Sequence, residues 1–388
     1  MKLRDIDQFI DADALTDLTV ALIEAPSENP GGTEAAAVAV FADACRELGL
    51  TVSTTDVEPN RPNLTATLPG GTGPGLMFLG HSDVVPAGPG WTGDAYTPRI
   101  VDGTIVGRGS ADMKGGLAAI AIAMGALSAA GVELSGPVEL VCTVDEEDSG
   151  LGARDYVTQQ RNSSFLGCVV AEPTGLRIVH GCRGAAYVHI DITGRAAHSG
   201  RPSDGRSAIN AAAAIIDVIN SDDLAATPDP TLGPGSWNVG LIEGGQTIST
   251  VAPMCYLGVD RRLIPGERMT EVTDRLSARI DAAGITGDGI DVTLRPTLDT
   301  PAFVTAPDDR LVTDSAAALA DLNLPSELST WSAACDGGFI SRELGVPAIV
   351  LGPGDINSQA HQPDESVAIS ELVSAAKTYA RIALRMLG

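Results

Sequence analysis

The sequence predicts an α/β fold in which a main sheet, drawn from both ends of the chain, is interrupted by a smaller inserted unit with ferredoxin-like strand order. Three observations predict it. Apolar runs at 75–79, 138–144, 167–171 and 348–351 are short, rich in Val, Leu and Ile, and flanked by turn residues, as buried parallel strands are. Between about 181 and 296 the pattern changes to alternating strands and amphipathic helices. Finally, 388 residues, 44% of them hydrophobic, exceed one simple core and exclude wholesale disorder.

In chain order, 5–24 and 33–49 read as amphipathic helices separated by Pro26 and the loop Asn29-Pro30-Gly31-Gly32. The segment 115–132 carries no charge over 18 positions, long enough for a membrane span. Its four glycines and many alanines favour instead a helix buried against the sheet. The insert reads as strand 185–192, helix 206–220, strands 236–242 and 254–261, helix 270–283 and strand 290–294. That β-α-β-β-α-β order is ferredoxin-like. With seams around 228–234 and 298–301, the expected division is a core of 1–180 and 297–388 and an insert of 181–296.

Lys plus Arg number 25 against 50 Asp plus Glu, a net charge of −25. So acidic a chain is unsuited to nucleic acid, whose phosphates need cationic side chains, and to anionic membranes. Lysine occurs only at Lys2, Lys114 and Lys377. A GC-rich genome and a salt-adapted cytosol both fit this bias. The acidic N-terminal segment 1–17 lacks the apolar stretch of a signal peptide. Six scattered cysteines form no CxxC pair, which fits small apolar side chains in a reducing compartment. The expected location is cytoplasmic.

Common catalytic motifs are absent: no GxSxG elbow occurs, and Gly107-Arg108-Gly109 lacks P-loop spacing. What remains is a set of polar residues at strand ends. His81 and Asp83 follow the run ending at Gly80, and Asp112 precedes a glycine pair that opens the Ala-rich helix. Asp145, Glu146, Glu147 and Asp148 end one strand, Glu172 ends another, and His361 follows a Gly/Pro-rich turn. Open α/β sheets build ligand sites at these edges. Several carboxylates gathered there need cations to stay ionised. Two divalent metals meet that need with His81, Asp112, Glu147, Glu172 and His361 as ligands. Asp83 then holds the His81 ring, and Glu146 is left as general base for a water activated between the metals.

Several segments together resemble the M20 metallopeptidases: Gly80-His81-Ser82-Asp83-Val84-Val85-Pro86, Gly107-Arg108-Gly109-Ser110-Ala111-Asp112-Met113-Lys114-Gly115-Gly116, and Asp145-Glu146-Glu147. Ala171-Glu172-Pro173-Thr174 and Ala360-His361-Gln362-Pro363-Asp364-Glu365 continue the match in the family's order. The branch it resembles is acetylornithine deacetylase and succinyl-diaminopimelate desuccinylase. The resemblance implies a di-zinc peptidase-type catalytic domain, with cobalt or manganese as other metals, and an inserted lid domain that forms a homodimer. It implies that His81 and Glu172 bind one metal and Glu147 and His361 the other, with Asp112 bridging and Glu146 as general acid/base. It further implies that His198 reaches a partner subunit's site to stabilise an oxyanion, and that Arg262 grips the substrate carboxylate. Gly337 and Gly338 fall in the family's substrate loop.

The chain departs from the family pattern at Thr250-Val251-Ala252-Pro253, where an Asn usually leads, and at Ala334-Cys335-Asp336-Gly337-Gly338, which lacks a Gly-Gly-Thr-Ser run. The expected function is hydrolysis of the amide bond of an N-acyl-L-amino acid. A dipeptidase or carboxypeptidase on the same metals is the alternative, and a non-catalytic module that binds metal or peptide is the alternative of another class.

Overall fold

The computed structural model describes residues 3–160, 164–221 and 228–388; Met1 and Lys2 of the expected acidic N-terminal segment lie outside the described residues. The chain divides into two units: Met1–Gly181 with Val304–Thr330 and Cys335–Gly388, and Cys182–Phe303 with Trp331–Ala334. The second seam therefore lies beyond the expected 296/297 boundary. The strand expected at 290–294 continues as Asp291–Thr300, paired with Gly184–Thr193 as far as Thr300 opposite Ala185. It passes Pro296 through a register shift, the setting in which a strand tolerates proline.

In the larger unit the helix expected at 5–24 is broken. A tight helical turn Leu3–Phe9 precedes the α-helix Ala12–Glu24. Asp11 interrupts them, because its carboxylate caps the second helix by accepting from the N–H groups of Asp13 (2.9 Å) and Ala14 (3.3 Å). The hairpin Thr51–Glu58 and Arg61–Leu68 was not foreseen; its first strand is Thr-rich and mostly exposed, so it carries no apolar signal.

The main sheet runs Thr51–Glu58, Arg61–Leu68, Val138–Thr143, Gly75–His81, Phe165–Val170, Ala348–Val350, Ile178–Cys182 in spatial order. Gly75–His81 is parallel to both Val138–Thr143 and Phe165–Val170, and Ala348–Val350 is parallel to Phe165–Val170. All four foreseen apolar runs therefore end at one edge. His81 lies opposite Thr143 and Leu79 opposite Val170, so the register brings the residues just beyond these strands level with one another.

The uncharged segment forms the helix Gly115–Ala129, which packs against Ala12–Glu24 and the C-terminal helix Ile369–Leu387. It is apolar all round because its whole membrane-length window is buried inside the protein. Burying each large side chain such as Leu117 or Ile120 contributes about 1.5–3 kcal/mol. Gly116 is required at its start: a Cβ there would sit 2.4 Å from the carbonyl oxygen of Ala171, the residue before Glu172. An alanine would push the helix off the strand end that carries the site.

The smaller unit is a four-stranded sheet in the order Ser236–Gly244, Met254–Leu263, Gly184–Thr193, Asp291–Thr300, all neighbours antiparallel. With helices Ala208–Asn220 and Met269–Ala282 it follows the expected ferredoxin-like order. Val188, Ile190, Ile192, Leu257 and Val259 face the helices in one core with Ile215 and Leu276. Alternation along the strands leaves the other sheet face open.

Candidate metal centre

His81 is the last residue of its strand and is buried. Its Nδ1 is 2.9 Å from the backbone carbonyl oxygen of Asp83, an atom that only accepts, so Nδ1 carries the proton and Nε2 offers its lone pair. Around that lone pair stand three carboxylate oxygens: Asp112 Oδ1 at 3.2 Å, Glu172 Oε1 at 3.4 Å and Glu146 Oε2 at 4.0 Å. On the other side, His361 Nε2 lies 3.1 Å from Glu147 Oε2 and 3.5 Å from Asp112 Oδ2. Asp112 thus turns one oxygen to each histidine. His361, unlike the others, has an exposed side chain.

Such a cluster holds together only around positive charge. Donor atoms about 2.0–2.1 Å from a tetrahedral ion lie about 3.3 Å from one another, and the four His–carboxylate contacts on the two sides of Asp112 span 3.1–3.5 Å. The donor set, imidazole plus carboxylate, suits zinc and its neighbours. Glu146, at 4.0 Å, stands outside that spacing.

Proton affinities tell the same story. Burial together with the Asp112 charge pushes the Glu172 carboxyl up to about 8, and the same two causes raise Glu147. Glu146 is raised well above the usual carboxylate range, by burial first and Glu172 second. Burial works against charging His81, but Glu172 and the bonds to Asp112 and Asp83 outweigh it and raise the imidazole. His361 is raised to about 10 by its bonds to Asp112 and Glu147. Burial opposes ionisation of Asp112, yet the two histidines hold it low. Described residues supply candidate three-ligand clusters at His81, Asp112 and Glu147 and at His81, Glu146 and Glu172.

Asp83 does more than orient a ring. Its carbonyl, rather than its carboxylate at 3.5 Å, is the nearer partner of His81 Nδ1. The carboxylate accepts from the backbone N–H groups of Glu146 (3.2 Å) and Glu147 (3.1 Å), so one residue orients the first histidine and the glutamate pair.

Glu365 was missed as a site residue. One of its oxygens accepts from the N–H groups of Ala111 and Asp112, both at 2.9 Å. The other takes the Gly109 N–H at 3.0 Å and Arg108 Nη1 at 2.6 Å. It lies four residues after His361 and so ties the His361 segment to the Asp112 turn. The only sequence signal was its place in His361-Gln362-Pro363-Asp364-Glu365, where a glutamate reads as solvated.

Gly337 and Gly338 open the helix Gly337–Leu344 and are buried. The preceding Asp336, given no role from sequence, is buried and accepts from Thr143 Oγ1 at 2.8 Å; burial pushes its carboxyl up to about 7.

His198 and Arg262 belong to the smaller unit. His198 is exposed, and the Gly200 N–H donates to its Nδ1 at 3.0 Å, which leaves the ring proton on Nε2. Its segment pairs with the Thr250 segment, the site of one departure from the family pattern. Arg262 contacts Asp260 on its own strand through Nη2, at 2.9 Å, and Nε, at 3.2 Å.

Other polar residues have structural partners. His180 Nδ1 meets the Thr305 carbonyl at 2.8 Å, and His189 bonds Tyr256 and Thr297. Trp91 anchors its loop by donating to the Ala87 carbonyl and lies under the Arg108 guanidinium. All six cysteines are buried thiols.

Residues 77–385 match the family model described as Peptidase family M20/M25/M40. Acetylornithine deacetylase from Aliivibrio fischeri (strain MJ11) is 30% identical over 339 residues, covering 84% of this chain and 85% of that protein. Succinyl-diaminopimelate desuccinylase from Delftia acidovorans is 29% identical over 385 residues, covering 94% of this chain and 96% of that one. An M20 family metallo-carboxypeptidase from Sulfolobus solfataricus shares the fold, with a TM-score of 0.82 and 19% identity over 95% of this chain and 98% of its own.

Proposed function

The chain belongs to peptidase family M20/M25/M40 and is a hydrolytic enzyme, and we propose that it cleaves the amide bond of an N-acyl-L-amino acid in the manner of its deacetylase and desuccinylase relatives. The observation that carries this reading is Asp112 lying between two His–carboxylate pairs, with Glu146 beside them at the edge of the cluster. His81 and Glu172 would hold one divalent ion, Glu147 and His361 a second, and Asp112 both. Bound there, the ions supply Lewis acidity and lower the pKa of water toward neutrality. Zinc suits the donors best, and cobalt or manganese are accepted by the same set.

Glu146 takes the proton of the attacking water and returns it to the leaving nitrogen. Water adds to the amide carbonyl, the C–N bond breaks, and the products are a carboxylate and a free amino acid. Glu146 stands at the edge of the cluster, 4.0 Å from His81 Nε2, within reach of a water held there and free of the ligand role, as both transfers require. Asp83 keeps the Glu146–Glu147 backbone in place throughout. His198, with its proton on Nε2, is suited to donate to the oxyanion. Following the family resemblance, we assign it to act across a homodimer formed by the inserted domain. Arg262 provides paired donors for the substrate carboxylate, in exchange for Asp260, and Gly337 and Gly338 border the substrate. Buried thiols throughout suit a cytoplasmic enzyme.

The test is a substrate panel of acetyl-ornithine, succinyl-diaminopimelate, other N-acyl amino acids and dipeptides, run on zinc-loaded protein. Higher kcat/KM for an acylated amino acid supports the reading; preference for dipeptides replaces it with the dipeptidase alternative. Glu146→Ala is expected to lower kcat by about 10²–10⁴-fold with metal content unchanged. Mixing Glu146→Ala with His198→Ala subunits is expected to restore part of the activity. No recovery despite verified subunit exchange would remove the cross-subunit role.

A further inference from the structure

Asn29 opens the loop Asn29-Pro30-Gly31-Gly32, which the reaction as derived leaves unused, yet its side chain is buried beside the glutamate pair. Its Nδ2 is 2.9 Å from Asp83 Oδ2 and 3.0 Å from Asp145 Oδ1. A carboxamide nitrogen carries two hydrogens, so one amide donates to two carboxylates at once. Both carboxylates are buried, and without a donor between them they would repel. Arg61 supplies the compensating charge, with Nη2 2.7 Å from Asp145 Oδ1 and Nε 3.1 Å from each oxygen of Glu34. The backbone fixes the amide in place: the Asn29 N–H donates to the Val84 carbonyl and the Val84 N–H to the Ser27 carbonyl, each at 2.9 Å.

The two carboxylates that Asn29 joins flank Glu146 and Glu147. Asp83 takes the backbone N–H groups of both glutamates, and Asp145 precedes them with φ at +68°, a left-handed conformation. Losing the amide would free the two carboxylates to move apart and let the glutamate turn rotate between them. We propose that Asn29 is a positioning residue for the hydrolytic reaction, clipping Asp83 to Asp145 and thereby holding Glu146 and Glu147 in register with the site. This rests on the function proposed above for its kinetic consequence, but its effect on metal binding through Glu147 stands without a substrate.

The deciding variant is Asn29→Asp, which keeps the size of the side chain and turns both donors into acceptors. Asn29→Ser, which keeps one donor, accompanies it. Zinc affinity is measured by competition with a chromophoric chelator, kcat and KM on the best substrate of the panel, and folding by circular dichroism. Asn29→Asp is expected to lower kcat about 10–100-fold with KM changed by less than about threefold, and to weaken zinc binding about tenfold. Because Asn29→Asp also sets a third carboxylate beside Asp83 and Asp145, the uncharged Asn29→Ser must shift zinc affinity in the same direction for the clip to stand. Folded Asn29→Asp with kcat and zinc affinity within about twofold of wild type overturns the proposal. If Asn29→Asp does not fold, Asn29→Ser decides. Unchanged kcat and affinity overturn the clip, and a loss of about threefold or more in zinc affinity upholds it. Should wild type turn over none of the panel, the functional reading fails, and the clip is still judged by zinc affinity alone.

Discussion

In the larger unit His81, Asp83, Arg108, Asp112, Lys114 and Glu365 are all at most 5% exposed, whereas in the smaller unit Leu241, Ile242 and Met254 are more than half exposed and Ile248 is wholly so. One unit hides charge and the other shows apolar surface, the reverse of the usual partition. Each reversal needs its own explanation. Two of these buried groups are held by fixed partners: Glu365 accepts four hydrogen bonds, and Lys114 Nζ donates to the carbonyls of Leu22 (2.8 Å) and Ala25 (2.9 Å). Exposed apolar side chains on an edge strand, the loop after it and the start of the next strand of the smaller unit suit a surface that another chain covers. The lesson is where each unit is fragile. Single polar changes should damage the larger unit, and apolar-to-charged changes should spare the fold of the smaller one.

The largest effect is expected from Glu365→Ala, which leaves the Arg108 guanidinium and three backbone N–H groups without their carboxylate. Removing one partner of a buried ion pair costs about 3–5 kcal/mol, to be read from the midpoint of urea unfolding. A loss below about 1 kcal/mol would show that water replaces the carboxylate and that the network is not cooperative.

Lys114 gives a pH-dependent contrast. Burial lowers its ammonium from 10.5 to about 7, only partly offset by Glu365 and Asp83. Below about 7 folded and unfolded chains both carry the proton; between there and 10.5 the unfolded chain binds it and the folded chain does not. Stability therefore rises with pH across that window, by up to about 1.4 kcal/mol per pH unit at most. Lys114→Met should flatten this slope, measured by urea unfolding at a series of pH values. An unchanged slope would mean that the two carbonyls keep the ammonium charged.

In the smaller unit, Leu241→Asp with Ile242→Asp should change stability by less than about 0.5 kcal/mol. In sedimentation the same variant should shift the protein from dimer to monomer, as the proposed homodimer requires. A large loss of stability without a change of mass would place these side chains in a core instead.

The smallest effect concerns the net charge of −25. It repels an anionic substrate at low salt, so KM should fall about two- to threefold as salt rises from roughly 20 to 200 mM. A flat dependence would make the acidic surface irrelevant to substrate capture.

Much of this arrangement was legible without coordinates, for a physical reason. Buried parallel strands must be continuous apolar runs, and polar residues that interrupt them can sit only at their ends. That placed His81, Glu146, Glu147 and Glu172 at sheet edges, and the order of elements in the insert announced its ferredoxin-like topology. Parallel registry then carried those ends to one edge. The Thr-rich hairpin at Thr51–Glu58 was invisible because its exposed strand leaves no apolar trace, and the helix at the N-terminus was drawn too long because one capping aspartate looks like any other.

What only the tertiary structure decided is which polar residues hold the others. Asn29, Arg61, Asp145, Asp336 and Glu365 are ordinary surface residue types in sequence, and their roles arise from contacts such as Asn29 with Asp145 and Glu365 with Asp112, across 116 and 253 positions of chain. Sequence periodicity reports burial along one element, a local property. A hydrogen-bond network is set by where distant segments cross, and no local pattern encodes that crossing.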